Sequence, residues 1–363
     1  KGAETSMKLS VIVPVYNMAS DGKLKYCLDS LVNQTVSDYE IIAVDDCSTD
    51  ASFNVATALA AEHREVVVFG QPRNMGKGAA LRAGFEHASG DYVGIQDADA
   101  EYDPLDYLEM LKPIRDGKAD VVYGSRYLRR DTRRVLYFWH TWMNRSLTFV
   151  SNMFTNLDIT DMETCYKLFT REAIRKIAPQ LREERFGFEP EVTELVGRMN
   201  FRVYECAIHY QPRSYEEGKK IGWKDGVRAL YCILHYGAPY APLPMQLLLY
   251  LFIGIVCALA NIGIFAILDT AGFHLLASVL IAFGMAAALN YLLCLAILFR
   301  HKARWSAKGE LGAYIVTVAA MCLLDYLCTW GFVALGLSPV WAKAWSTLIG
   351  FAGNFLMRKY YVF

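Results

Sequence analysis

Acidic and basic side chains are almost missing from the last third of the sequence. Residues 237–363 hold seven Lys or Arg and three Asp or Glu, whereas the first 236 residues hold 30 and 34. Over all 363 residues the two signs cancel, 37 against 37. The lack of a basic excess speaks against a nucleic-acid partner. A composition of 54% hydrophobic and 20% charged residues speaks against disorder. The nine cysteines form no Cys-x-x-Cys pair, which argues against a zinc site and suits reduced thiols on the cytosolic side. The first strand lacks the Gly-x-Gly-x-x-Gly of a dinucleotide fold, and Gly76-Lys77-Gly78 lacks the spacing and Ser/Thr of a P-loop. Its amides could still meet an anion at a helix start, with a simple turn as the alternative. Residues 1–6 are short and polar, and no signal peptide is expected there.

What fills the charge-poor third is apolar. Residues 237–268 and 270–299 contain no Asp, Glu, Lys or Arg, and each run exceeds the roughly 20 residues needed to cross a bilayer core. Two more runs follow, broken only by Asp325 and Lys343. The pattern predicts four transmembrane helices at about 245–268, 274–299, 311–335 and 338–357. Positive charge gathers in Arg300-His301-Lys302-Ala303-Arg304, at Lys308 and at Arg358-Lys359, while the other two connections hold almost none. The positive-inside rule then places the basic loop, both termini and the preceding domain in the cytoplasm of a multi-pass cell-membrane protein. Asp325 and the span residues Asn261, Asn290 and Asn354 fit two readings, hydrogen bonding between helices or a path for a lipid headgroup.

The charged part alternates strand-like and helix-like segments. Apolar runs at 9–15, 40–44, 66–69 and 92–95 are separated by helical stretches near 24–33, 51–62 and after Gly76-Lys77-Gly78. Such alternation predicts an α/β domain with a mostly parallel, Rossmann-like sheet. Ligands in such sheets bind beyond the carboxyl ends of the strands. Asp45-Asp46 and Asp97-Ala98-Asp99 both follow strands, so they should face one cleft. Two carboxylates at i and i+2 on such a turn suit one hard cation, magnesium or manganese, completed by water and substrate phosphate oxygens. Glu101, two residues on, could supply a third oxygen. The domain boundaries expected are 1–218 for the cytoplasmic domain, 219–242 for a juxtamembrane helix and 243–363 for the membrane domain.

Val13-Pro14-Val15-Tyr16-Asn17, Val44-Asp45-Asp46-Cys47-Ser48-Thr49-Asp50 and Gln96-Asp97-Ala98-Asp99 resemble family 2 glycosyltransferases of the GT-A fold. Val122-Tyr123-Gly124-Ser125-Arg126, Asp161-Met162-Glu163-Thr164-Cys165-Tyr166-Lys167, Phe186-Gly187-Phe188-Glu189-Pro190-Glu191 and Lys220-Ile221-Gly222-Trp223-Lys224-Asp225-Gly226 are similar to polyprenyl-phosphate (dolichol-phosphate) hexose synthases. The four-span part, ending in Asn354-Phe355-Leu356-Met357-Arg358-Lys359-Tyr360-Tyr361-Val362-Phe363, resembles GtrA-like membrane domains. Met18 departs from the Glu that many members carry there, and the donor sugar stays open.

The resemblance implies a nucleotide-sugar donor (a UDP- or GDP-hexose), Mg2+ or Mn2+, and a polyprenyl or dolichyl phosphate acceptor held at the bilayer. By the same resemblance Pro14, Tyr16 and Asp45 or Asp46 line the base and ribose, with Asp97 beside the nucleotide. Asp97, Asp99 and Glu101 surround metal and diphosphate, Arg126 meets phosphate, and Arg213 and Lys219 close over donor and acceptor phosphates. Asp97, Asp99, Arg126 and Arg213 are thus the expected catalytic set. A phosphate acceptor is already anionic, so alignment and charge neutralisation can drive an inverting displacement without a general base. Homo-oligomerisation stays open.

Leu128-Arg129-Arg130-Asp131-Thr132-Arg133-Arg134 runs into Tyr137-Phe138-Trp139-His140-Thr141-Trp142. It reads as a basic approach to an interfacial helix, with Arg134 near lipid phosphate. Residues 223–236 carry Val227, Leu230, Tyr231 and Leu234 at helical spacing and could dock the domain on the membrane. A processive polysaccharide synthase would need Gln-x-x-Arg-Trp, but His301 stands where Gln is required before Arg304-Trp305. The remaining alternative is a lipid-sugar translocator whose soluble domain loads cargo.

Overall fold

The structure, a computed structural model, describes residues 8–34, 36–128, 134–212, 222–299 and 307–362. Arg213, Lys219, residues 129–133 of the basic approach and the basic loop at 300–304 lie outside the described residues. The chain divides into two compact units, Lys1–Tyr240 and Ala241–Phe363.

The first unit is a three-layer α/β domain. Its elements in chain order are β1 (Leu9–Val15), α1 (Lys23–Val32), β2 (Tyr39–Asp45), α2 (Ser52–Glu62), β3 (Val66–Gly70), α3 (Lys77–His87), β4 (Tyr92–Ile95), α4 (Asp106–Arg115), β5 (Val121–Ser125), α5 (Phe138–Thr155), β6 (Lys167–Thr170), α6 (Arg171–Ile177), α7 (Phe188–Arg198), β7 (Val203–Ala207) and α8 (Trp223–Cys232). The seven strands form one sheet in the order β3-β2-β1-β4-β6-β5-β7. All neighbours are parallel except β6, which runs against both β4 and β5. The mostly parallel sheet and the first four strand positions match the sequence reading; the antiparallel β6 was not legible there.

Side-chain chemistry explains the central strands. β1, Leu-Ser-Val-Ile-Val-Pro-Val, is buried along nearly its whole length, as a parallel strand covered on both faces must be. Pro14 is tolerated because pairing with β4 stops at Ile12↔Ile95. Its missing N–H falls beyond the ladder. Helix α3 packs so closely that a Cβ at Gly84 would collide with Ile12. After β1, β2 and β3 on one side, the chain crosses to β4 on the other. The carboxyl ends of β1, β2 and β4 therefore flank the switch point where α/β sheets bind ligands.

In α5 the first half exposes Tyr137 just before it, then Phe138, Trp139 and Trp142, while Leu147, Ser151 and Phe154 are buried. On α8, Val227, Leu230 and Tyr231 are exposed and Ala229 and Cys232 are buried. Residues 222–240 belong to the first unit: Arg228 Nη2 reaches Glu183 Oε2 at 2.7 Å, and Tyr236 donates to Glu183 Oε1 at 3.0 Å.

Among the described residues the second unit contains four long helices: α9 (Leu243–Thr270), α10 (Leu275–Leu293), α11 (Ala307–Ala334) and α12 (Pro339–Met357). Among the described residues two stretches, Leu243–Thr270 and Leu280–Phe299, are long and apolar enough to cross a membrane; α11 carries the shorter apolar stretch Gly312–Met321. π-Helical turns, Cys294–Phe299 and Arg358–Val362, extend α10 and α12.

Candidate active site

The loops that leave β1 and β2 lock each other in place. Asn17, Cys47 and Ala100, in the loops after β1, β2 and β4, adopt left-handed backbone at φ 50°, 58° and 59°. Such strain in non-glycine residues concentrates at functional sites. Thr49 N donates to Asn17 Oδ1 at 2.8 Å, Asn17 N to Ser48 Oγ at 3.0 Å, and Met18 N to Ser52 Oγ at 2.7 Å. Asn17, Ser48 and Thr49 stand in the quoted motifs, but these hydrogen bonds were not legible in the sequence.

The two acids at the end of β2 have separate surroundings. Asp46 is consumed by the fold: its carboxylate accepts from Met75 N and Gly76 N, both at 2.7 Å, and from Gln71 Nε2 at 3.2 Å. Asp45 accepts from Ser48 N at 2.9 Å through Oδ2, while its buried Oδ1 has no hydrogen-bond partner among the described residues. A buried polar atom without a partner costs free energy and calls for an explanation. Gly76-Lys77-Gly78 does meet an anion, but the anion is the chain's own Asp46. The glycines are required because Cβ atoms there would collide with the Glu184 and Glu183 carbonyls.

Beyond β4, Asp97 Oδ1 pairs with Lys77 Nζ at 2.9 Å, and Lys77 also reaches Glu189 Oε1 at 2.7 Å. Burial works against the Lys77 ammonium, but the Asp97 and Glu189 carboxylates outweigh it and hold its pKa well above the usual lysine value. Glu101 Oε2 accepts from Tyr210 OH at 2.9 Å. Of the expected trio Asp97, Asp99 and Glu101, Glu101 is thus engaged by Tyr210. Among the described residues no group of three His, Cys, Asp or Glu side chains is placed to hold a metal ion. Asp97 and Asp99 alone, two hard carboxylates on one turn, still suit a magnesium- or manganese-type cation that draws further oxygens from a diphosphate.

Tyr210 connects this acidic turn to the basic side of the site, because Arg126 stacks 5.3 Å from its ring centroid. Arg126 is gripped by Asp161, which is fully buried: Nε to Oδ2 and Nη2 to Oδ1 are both 2.7 Å. Arg126, Arg134, Tyr210 and the start of α5 from Tyr137 to Asn144 line a cavity of about 150 Å³, and Arg134 Nη1 donates to the Pro212 carbonyl at 3.0 Å. Nearby, Glu163 leaves Oε1 buried and unpartnered among the described residues. Burial, then the Glu189 charge, pushes its carboxyl up to about 7. Pro14 lies in β1, and Tyr16 is exposed just after it.

Residues 10–178 match the model of glycosyl transferase family 2, and residues 249–363 match the GtrA/DPMS transmembrane domain. A dolichyl-phosphate beta-glucosyltransferase of Drosophila melanogaster is 32% identical over 221 residues, covering 56% of this chain and 67% of that protein. One of Trichomonas vaginalis is 29% identical over 216 residues, covering 56% of this chain and 65% of that protein, so the chain spans slightly less than two thirds of that relative. Among solved structures, glucosyl-3-phosphoglycerate synthase of Mycobacterium tuberculosis, in complex with uridine diphosphate, superposes with a TM-score of 0.50 at 16% identity over 63% of this chain and 80% of that one; this likeness concerns the fold alone. The chain belongs to glycosyl transferase family 2, joined on one polypeptide to a GtrA/DPMS-type transmembrane domain.

Proposed function

We propose that the protein transfers a hexose from a nucleotide-sugar to a polyprenyl or dolichyl phosphate, with inversion, at the cytoplasmic face of the membrane. The names of the relatives favour glucose as the hexose and a transferase over a translocator. The observation that carries the reading is the bridge Glu101–Tyr210–Arg126, which ties the acidic turn after β4 to an arginine-lined cavity. Nucleotide and acceptor phosphates thereby have neighbouring places.

Each residue then has a task. Asp45 Oδ1 accepts an N–H of the donor base, which leaves Asp46 with the structural role, while Pro14 and Tyr16 flank base and ribose. Asp97 and Asp99 hold a divalent cation, Mg2+ or Mn2+, whose chemistry is to neutralise the departing nucleoside diphosphate as a Lewis acid. Arg126 and Arg134 hold the acceptor phosphate, planar forks suiting its oxygens, and Arg213 and Lys219 close over the phosphates. The exposed aromatics of α5 and α8 lie at headgroup level. Four spans, with both ends of the sequence cytoplasmic, agree with the basic loop.

The test is incubation of the purified protein with a panel of radiolabelled nucleotide-sugars and polyprenyl phosphate. One donor should yield an organic-extractable labelled lipid; no labelled lipid from any donor would end the transferase reading.

The Glu163 carboxyl adds a pH dependence. Its pKa is raised, so the folded state binds this proton more tightly than the unfolded chain does. The stability that the proton supplies is present at low pH and is lost as pH rises from about 4.5 to about 7. Above about 7 the new carboxylate also sets a negative charge close to Arg126. The acceptor KM should therefore rise on going from pH 6 to pH 8, and Glu163→Gln should remove that rise. What remains in the variant belongs to the second ionisation of the phosphate, near pH 6 by order of magnitude. Identical profiles for the two proteins would separate Glu163 from acceptor binding.

A further inference from the structure

The second unit buries a cation. Arg358, at the end of α12, is 4% exposed. Its guanidinium is ringed by neutral groups: Nε donates to Asn354 Oδ1 at 3.0 Å, Nη1 to Asn290 Oδ1, and Nη2 to Tyr314 OH at 3.4 Å. The Tyr314 and Tyr250 rings stand 4.7 and 5.7 Å from it. Among the described residues no carboxylate pairs with it. Beside it, Lys359 Nζ donates to Gln246 Oε1 at 2.8 Å. A buried guanidinium without a counter-charge is costly. In membrane-spanning helices such groups mark binding sites more often than scaffolding.

Its position in the bundle says what counter-charge would suit. Gln246 and Tyr250 lie near the start of α9, Asn290 near the end of α10, Tyr314 near the start of α11, and Asn354 and Arg358 at the end of α12. All four helix ends share one end of the bundle, and in the sequence the basic stretch from Arg300 to Lys308 joins two of them. That is where lipid phosphates lie. The second unit's π-helical turns, Cys294–Phe299 and Arg358–Val362, are here too, and such turns recur at functional sites.

We propose that Arg358, with Lys359, Asn290 and Tyr314, forms a second phosphate site within the transmembrane unit, occupied by the phosphate headgroup of a membrane lipid. The inference rests on the membrane reading of this unit and not on hexose transfer. The guanidinium supplies the charge and the fork, and the Tyr314 hydroxyl and Lys359 ammonium supply further donors.

The test uses the full chain in phosphatidylcholine nanodiscs without donor, with bound lipid counted by native mass spectrometry. Wild type should retain two polyprenyl phosphates per chain and Arg358→Gln one; Arg358→Lys should keep the second with affinity about tenfold weaker, having lost the fork. Asn290→Asp sets a carboxylate against the guanidinium, so it should also retain one, with an unfolding temperature no lower than wild type. That variant removes misfolding as an explanation. Displacement of the second lipid by phosphatidylglycerol would identify the occupant as an ordinary anionic phospholipid; persistence would identify the polyprenyl monoester. Equal retention of uncharged polyprenol, or two phosphates retained by both Arg358→Gln and Asn290→Asp, would overturn the proposal. Loss of transfer with this stoichiometry intact would count against the catalytic reading alone.

Discussion

Asp99→Ala is expected to reduce hexose transfer about a thousandfold, the scale on which removing one preorganised electrostatic group acts, while leaving the unfolding temperature nearly unchanged. Asp99 sits half-buried on the turn after β4, where its Oδ1 accepts from Glu101 N at 3.3 Å. That bond is long and weak. Asp97→Ala should behave differently. It removes the partner 2.9 Å from the Lys77 ammonium, so activity and unfolding temperature should fall together. Transfer assays paired with fluorescence-detected unfolding separate the two. Manganese titration by electron spin resonance adds a readout without turnover, since either substitution should weaken binding. Undiminished transfer by Asp99→Ala would remove that residue from the site.

Asp161→Ala should have the largest effect on stability. It would strand the Arg126 guanidinium, which is 10% exposed and held by two 2.7 Å hydrogen bonds to a carboxylate with no exposure. Breaking a buried pair from one side costs about 3–5 kcal/mol. The unfolding temperature of the first unit should drop by many degrees, and acceptor KM should rise because Arg126 is no longer aimed. Replacing both partners by apolar residues, as in Arg126→Met with Asp161→Leu, should recover most of the stability and none of the transfer. A double variant that transfers normally would show that Arg126 does not touch phosphate.

Much of the scaffold was legible because the signals are local. A run such as Val-Ile-Val between turn residues makes a buried strand wherever it stands, and uncharged runs of about 30 residues demand an apolar surround. The strand ends fell within a residue or two of expectation, and Asp45-Asp46 and Asp97-x-Asp99 emerged at the carboxyl ends of β2 and β4, the strands on either side of β1. The expected split of the site was coarser. Asp45 and Asp46 are indistinguishable as letters, and only the loop at Met75 and Gly76, some 30 residues on, consumes one and spares the other. The same holds for Glu101, which spacing groups with Asp97 and Asp99 but Tyr210 draws toward Arg126.

By itself the sequence determined the charge-poor third, the strand–helix alternation and the acids placed at strand ends, because each depends on neighbours a few residues apart. Only the tertiary structure decided the antiparallel β6, the Lys77 bridge between Asp97 and Glu189, the Asp161 grip on Arg126 and the neutral cage around Arg358. Each depends on groups far apart in sequence: 35 residues for Arg126 and Asp161, 112 for Lys77 and Glu189, and 68 for Arg358 and Asn290. No periodicity encodes such meetings; they arise when packing removes water and each buried charge must find whichever partner the fold brings near.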